Sequence, residues 1–230
     1  MARLFRGAAL GEHLPMAVAK QRRILVTGTG RSGTVYTSRV LRALGLDATH
    51  ESIYGPRTKH PEWPAERQAE VSWMAVPFLG HLPPGTLVVH QVRDPIEVAR
   101  SFLGRVMFHH GDDTPYSRFL AAHEPAIFRP QRVPVRFMRY YVRWNLRVQP
   151  YADLRVRLED LGDPRHFAEM LAQIGIERSH EEIAQALDEI EPRPNAGPRE
   201  ETHRWDNLPS GKDLEKFVAM AVQFGYDAQD

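Results

Sequence analysis

Apolar and polar positions alternate along the chain in blocks that read as strand, turn, helix, repeated. Residues 23–27 (RILVT) form a short apolar run that ends at once in glycines, the pattern of a buried parallel strand. From Gly33 to Leu44 the period becomes helical: Thr37, Val40, Leu41 and Leu44 share one face, and Gly45 is placed to stop the helix. Asp47 to His50 reads as a second short strand, residues 66–79 as a helix, and residues 86–92 (TLVVHQV) as the next strand. Asp94 and Pro95 then carry the cap and first-turn signals of a helix.

Residues 106–133 are irregular and rich in His, Asp, Pro and aromatics. After Pro134 a long helix is predicted, with Phe137, Tyr141, Trp144 and Val148 at helical spacing. LRVRLEDL at 154–161 gives another strand and turn. Ser179 with Glu182 is a capping box ahead of Ile183, Ala186, Leu187 and Ile190. Residues 191–211 show little periodicity, and a last helix runs through Leu214, Phe217, Val218 and Ala221 to Gly225. Strands alternating with helices predict an α/β fold: three layers, α/β/α, around a central parallel sheet. Ligands of such sheets bind at the carboxyl ends of the strands.

Composition narrows the class only a little. With 230 residues the expectation is a lead-in at 1–22 and one domain over 23–230. A net charge of +1 gives no global pull toward nucleic acid. No apolar run reaches the ~20 residues of a membrane span, and the N-terminus has no signal-peptide pattern. The absence of cysteine removes disulfides and thiolate chemistry, and fits a reducing, cytoplasmic setting. Lysine occurs only at 20, 59, 212 and 216, so the basic residues are mainly arginines, a bias that suggests a GC-rich bacterial gene. Nothing in the sequence signals an oligomeric state.

The chemistry concentrates in two segments. Gly28, Gly30 and Gly33 shape a turn between strand and helix, and the amides of residues 30–35 are placed to face an anion at the helix start. The glycine spacing matches an ATP-binding loop, but Thr34 stands where that loop has lysine and Val35 where it has the magnesium-binding hydroxyl. Arg31 supplies a positive charge from within the loop instead. Its plainer reading is a turn that only joins strand to helix. In the second segment, Arg93 ends a strand and Ser101 lies eight residues on, a pair suited to a separate phosphate. Singly, each also fits an ordinary surface role.

Together these segments resemble the sulfotransferases that use 3'-phosphoadenosine 5'-phosphosulfate. GRSGT at 30–34 is similar to the family's phosphosulfate loop, and VRDPIEVARS at 92–101 to its 3'-phosphate signature. Weaker likeness lies in YYVRWN (140–145), RLEDL (157–161) and WDNLPSGK ahead of a helix ending in FGY. The loop arginine brings the chain nearer the protein-tyrosine and carbohydrate enzymes than the cytosolic ones.

The resemblance implies a P-loop nucleotide-binding fold. It implies contacts to 3'-phosphoadenosine 5'-phosphosulfate, and to its product 3'-phosphoadenosine 5'-phosphate, from Gly30, Arg31, Ser32, Gly33, Thr34, Val35, Arg93 and Ser101. Arg204 and Lys212 would close over the nucleotide. Because a sulfuryl group carries less charge than a phosphoryl group, no metal is expected. As catalytic base it implies Glu51, 20 residues after Arg31, with His50 orienting it. His81 in GHLP (80–83) is the rival base, since that segment resembles THLP of the cytosolic enzymes. Tyr54, Trp73 and Phe108 are the aromatic candidates for contact with a small-molecule or carbohydrate acceptor, alongside Trp63 and Tyr116. Two other readings stay open: a P-loop kinase of small molecules or nucleotides, and a non-catalytic module for 3'-phosphorylated nucleotides.

Overall fold

The computed structural model describes residues 22–103, 108–109, 111–190 and 204–228. The lead-in at 1–21 and most of the irregular stretch after Ile190 lie outside them. The strands are Ile24–Gly28 (β1), Ala48–His50 (β2), Ala69–Val71 (β3), Leu87–Val92 (β4) and Leu154–Arg157 (β5). The helices are Thr34–Ala43 (α1), Pro95–Leu103 (α2), Pro115–His123 (α3), Val133–Val148 (α4), Pro164–Gln173 (α5), His180–Asp188 (α6) and Lys212–Gln223 (α7). All strand pairs are parallel, in the order β2-β3-β1-β4-β5. The fold is therefore α/β, with helices on both faces of the sheet.

Alternation along the strands sorts the core into two layers. Leu25 and Val88 face a core built with Trp73, Phe102, Tyr140, Trp144 and Phe217 from α2, α4, α7 and the connections. Ile24, Val26 and Val89 face the other, built with Val40, Leu41, Phe167, Leu171 and Ile183 from α1, α5 and α6. The capping box of α6 forms as its sequence predicts. Asp94 caps α2, its carboxylate accepting from the amides of Ile96 at 2.7 Å and Glu97 at 3.1 Å.

One element differs from the periodicity. The helix predicted over 66–79 is instead β3, followed by a 3-10 helix at Trp73–His81. β3 slots between β1 and β2, pairing Glu70 with Leu25 on one side and Thr49 on the other. Its three residues, one of them charged, give no apolar run, and helix-favouring side chains surround it; pairing on both edges overrides that local preference. No helix among the described residues is long and apolar enough to cross a membrane. The loops after β1, β2, β3 and β4 all leave from the carboxyl edge of the sheet, which brings distant segments to one place.

Candidate functional site

The loop after β1 is a tight turn closed by its own hydrogen bonds. Ser32 donates from its amide (3.3 Å) and its hydroxyl (2.7 Å) to the carbonyl of Thr29. Gln91 on β4 clamps it from below: Nε2 donates to the Ser32 carbonyl at 2.6 Å, and Oε1 accepts from Thr37 on α1 at 2.7 Å. Gly33 has φ 90°, and a Cβ there would come within 2.4 Å of Leu158, so both conformation and space demand glycine. Gly30 lies against Phe102, whose ring a Cβ would meet at 2.9 Å.

Not every loop amide is open to an anion, as the sequence had suggested. The Gly30 amide donates to the Tyr140 hydroxyl at 2.6 Å. The amides of Gly33, Thr34 and Val35 begin α1 and make no hydrogen bond among the described residues. They form the anion-attracting end of the helix.

Arg31 has φ 67°, a left-handed conformation that carries strain for a side chain of this size. Its Nε donates to Ser101 Oγ at 2.7 Å. Its carbonyl accepts from Arg93 Nη1 at 2.9 Å. Arg93 also contacts Glu97 at 3.2 Å, and Glu97 in turn binds Arg100 at 2.8 Å. The pair Arg93 and Ser101 therefore meets the glycine loop directly through Arg31.

Glu51 follows β2 and is also left-handed, φ 52°. Its amide donates to the Val71 carbonyl at 3.2 Å. Its carboxyl is pushed up to about 7, first by burial; a hydrogen bond from the Trp73 side chain and the charge of Arg31 oppose this, and the Glu70 charge adds to it. His50 is pulled down to about 4 by burial and by Arg42. His50 Nε2 lies 3.0 Å from Thr34 Oγ1 and 3.6 Å from Glu51. A neutral ring forms no ion pair, so the contact to Glu51 is polar and His50 ties β2 to the first turn of α1.

The buried face of α4 fastens these loops. Tyr140 holds Gly30, the Tyr141 hydroxyl donates to the Arg93 carbonyl at 2.9 Å, and the Trp144 indole donates to the Trp73 carbonyl at 2.9 Å. Asn145 Oδ1 lies 2.8 Å from His90 Nε2, and burial pulls His90 down to about 4. YYVRWN thus supplies a contact to the segments that follow β1, β3 and β4, and one to β4 itself. RLEDL and the C-terminal FGY meet in the same way: the Tyr226 hydroxyl donates to Glu159 at 2.7 Å, and Glu159 accepts from the Asp94 amide at 3.0 Å. Tyr140→Phe keeps the ring but leaves the buried Gly30 amide unsatisfied. It is expected to cost about 1–3 kcal/mol, read as a Tm drop of several degrees on thermal unfolding.

Several sequence candidates fall outside the constellation. His81 ends the 3-10 helix and is exposed. Nine residues at a ~2 Å rise carry it about 18 Å back toward the start of β4, the amino edge of the sheet. Tyr54 (2% exposed) packs on Trp63 and Phe78, and Phe108 (0%) on Phe102, Phe128, Phe137 and Tyr140. Both are core residues, not walls for an acceptor. Arg204 and Lys212 are exposed, and their side chains make no hydrogen bond or ion pair among the described residues. Trp73 is buried too, but it reaches Glu51, and Tyr116 (40% exposed) packs on its ring at 6.2 Å.

Two participants were not anticipated. Tyr140 is separated from Gly30 by 110 residues, and its segment carried only a family likeness. Glu70 is a lone carboxylate in a β-strand, a signal masked by the helical reading of its neighbourhood. The chain matches no known protein-family model and no curated protein.

Proposed function

We propose that the protein is a sulfotransferase that uses 3'-phosphoadenosine 5'-phosphosulfate and an acceptor hydroxyl or amine. The observation that carries this reading is the meeting of Arg31, Ser101, Arg93 and Glu51 at one end of the sheet. An arginine-bearing loop at a helix start suits the 5'-phosphate end of such a nucleotide, and Arg93 with Ser101 suits its 3'-phosphate. Thr34 and Val35, in place of lysine and a magnesium-binding hydroxyl, argue against the kinase reading.

When bound, the nucleotide supplies a sulfuryl group on a good leaving group. The residues of this chain do the rest. Glu51 accepts the proton of the acceptor O–H or N–H as the acceptor atom bonds to sulfur. The sulfur–oxygen bond to the 5'-phosphate breaks at the same time. Arg31 and the amides of Gly33, Thr34 and Val35 take up the charge that develops on the departing phosphate oxygen. A carboxylate with its pKa raised to about 7 is basic enough for this role and still ionised at neutral pH in a large fraction of molecules. Tyr116, 40% exposed and packed on the Trp73 ring, gives a small aromatic or sugar acceptor a surface to stack on.

The test is incubation with sulfur-labelled nucleotide and a panel of phenols, sugars and amines, with a chelator present. Label on one acceptor class, with release of 3'-phosphoadenosine 5'-phosphate, is the expected result. Magnesium-dependent ATP turnover without sulfate transfer would replace this reading with the kinase one.

A further inference from the structure

Fully buried carboxylates are rare and need partners. Glu70 is 0% exposed in the middle of β3. Its Oε1 accepts from the amides of Ser52 (2.9 Å), Ile53 (3.0 Å) and Tyr54 (3.4 Å). Its Oε2 accepts from the Thr49 hydroxyl. All these partners are neutral, and three of them are successive amides of the turn that follows Glu51. Glu51 itself sits at φ 52° and is tied by its own amide to Val71, the residue after Glu70. A left-handed conformation at a non-glycine residue persists only where its surroundings over-determine it. Here β3 does so from both sides of the residue, through the Glu51 amide before it and the Ser52 amide after it.

We propose that Glu70 is a positioning residue whose carboxylate gathers the turn after Glu51 and so fixes the backbone that carries the Glu51 carboxylate. The inference rests on the reading of Glu51 as base. Charge acts in addition to geometry. The groups facing Glu51 are His50 from β2, Glu70 from β3, Arg31 from the glycine loop, Trp73 from the 3-10 helix, Tyr116 from α3 and Tyr140 from α4. His50 is neutral, and burial raises both phenols and the Glu70 carboxyl itself, against the hydrogen bonds it accepts; Arg31 therefore lowers Glu51, and Glu70 raises it where Glu70 is ionised. A carboxylate held close to the base keeps it basic and opposes the arginine.

Two substitutions separate the effects. Glu70→Gln keeps an oxygen for the three amides and removes the charge. Glu70→Met keeps the length and removes every acceptor. The direct readout is the side-chain carboxyl resonance of Glu51, followed by 13C NMR against pH in nucleotide-free protein. With Glu70→Gln the midpoint is expected to fall by on the order of one pH unit. With Glu70→Met the resonance is expected to shift at every pH, and kcat to fall about 10²-fold with little change in KM. An unchanged Glu51 titration in Glu70→Gln would overturn the charge effect, and an unchanged resonance and kcat in Glu70→Met would overturn positioning. If Glu70→Met does not fold, positioning is read in the unsubstituted protein from the Ser52 and Ile53 amides that Glu70 accepts: slow hydrogen exchange at both supports the proposal, and exchange at the rate of an open turn overturns it. Absence of sulfate transfer by the unsubstituted protein would sink the sulfotransferase reading, whereas the NMR titration reports on Glu70 in either case.

Discussion

Glu51→Gln lowers turnover by roughly 10²–10⁴-fold, the range that general acid–base catalysis contributes, and leaves nucleotide affinity unchanged. The glutamine matches the shape of the carboxylate and sits in the same turn, but it takes no proton. The unsubstituted protein should show a rate that falls as pH drops through about 7, because a carboxyl raised to that value becomes protonated there. The sign follows from the role: a base works only when deprotonated, so raising its pKa moves the acid limb of the profile upward. An ordinary glutamate would place that limb near 4.3. In Glu51→Gln the limb should vanish with the activity. Steady-state rates between pH 5 and 9 check both statements. A fully active variant would remove Glu51 from the chemistry.

Arg31→Ala is the second large effect. The guanidinium is expected to stabilise charge that develops on the leaving phosphate, so its loss should lower kcat by roughly 10²–10³-fold. Affinity for 3'-phosphoadenosine 5'-phosphate should fall much less, because the start of α1, Arg93 and Ser101 remain. The backbone sharpens the expectation. Arg31 is held at φ 67° by a hydrogen bond from Arg93 to its carbonyl, a contact that survives removal of its side chain. Arg31→Lys is not a neutral control: the donation from Nε to Ser101 uses the guanidinium fork, which lysine lacks. Single-turnover kinetics beside equilibrium titration separate the two quantities. Equal losses in both would make Arg31 a binding residue only.

The glycine loop was legible because its signals are local. An apolar run, three glycines and a helical period fall within about twenty residues, and each constrains the backbone on its own. Arg93 and Ser101 were legible by spacing, since strand end and second helical turn lie on one side of the sheet edge. What the sequence could not reveal is what depends on contacts far apart in the chain. β3 is three residues long and its middle one is charged, so only its pairing with β1 and β2 identifies it. Missing β3 hid Glu70, whose partners are the amides of a turn some 16–18 residues upstream. His81 was carried by the likeness of four residues, which says nothing about the course of the 3-10 helix that takes it away from Glu51. Tyr54 and Phe108 were aromatics in irregular stretches, and only packing decides whether such a ring lines a pocket or fills a core. Tyr140 combines both difficulties: its ring is fully buried, and its hydroxyl serves a loop at the other end of the sequence order.

The most direct test of the central claim is calorimetric titration of the metal-free protein with 3'-phosphoadenosine 5'-phosphate and with adenosine 5'-monophosphate. The two ligands differ only by the 3'-phosphate that Arg93 and Ser101 are expected to hold. A charge-assisted contact of that kind is worth about 1.5–3 kcal/mol, so the bisphosphate should bind on the order of 10–100-fold more tightly, and Arg93→Ala should erase the difference. Equal affinity for the two nucleotides, or binding of ATP with magnesium alone, would contradict the account.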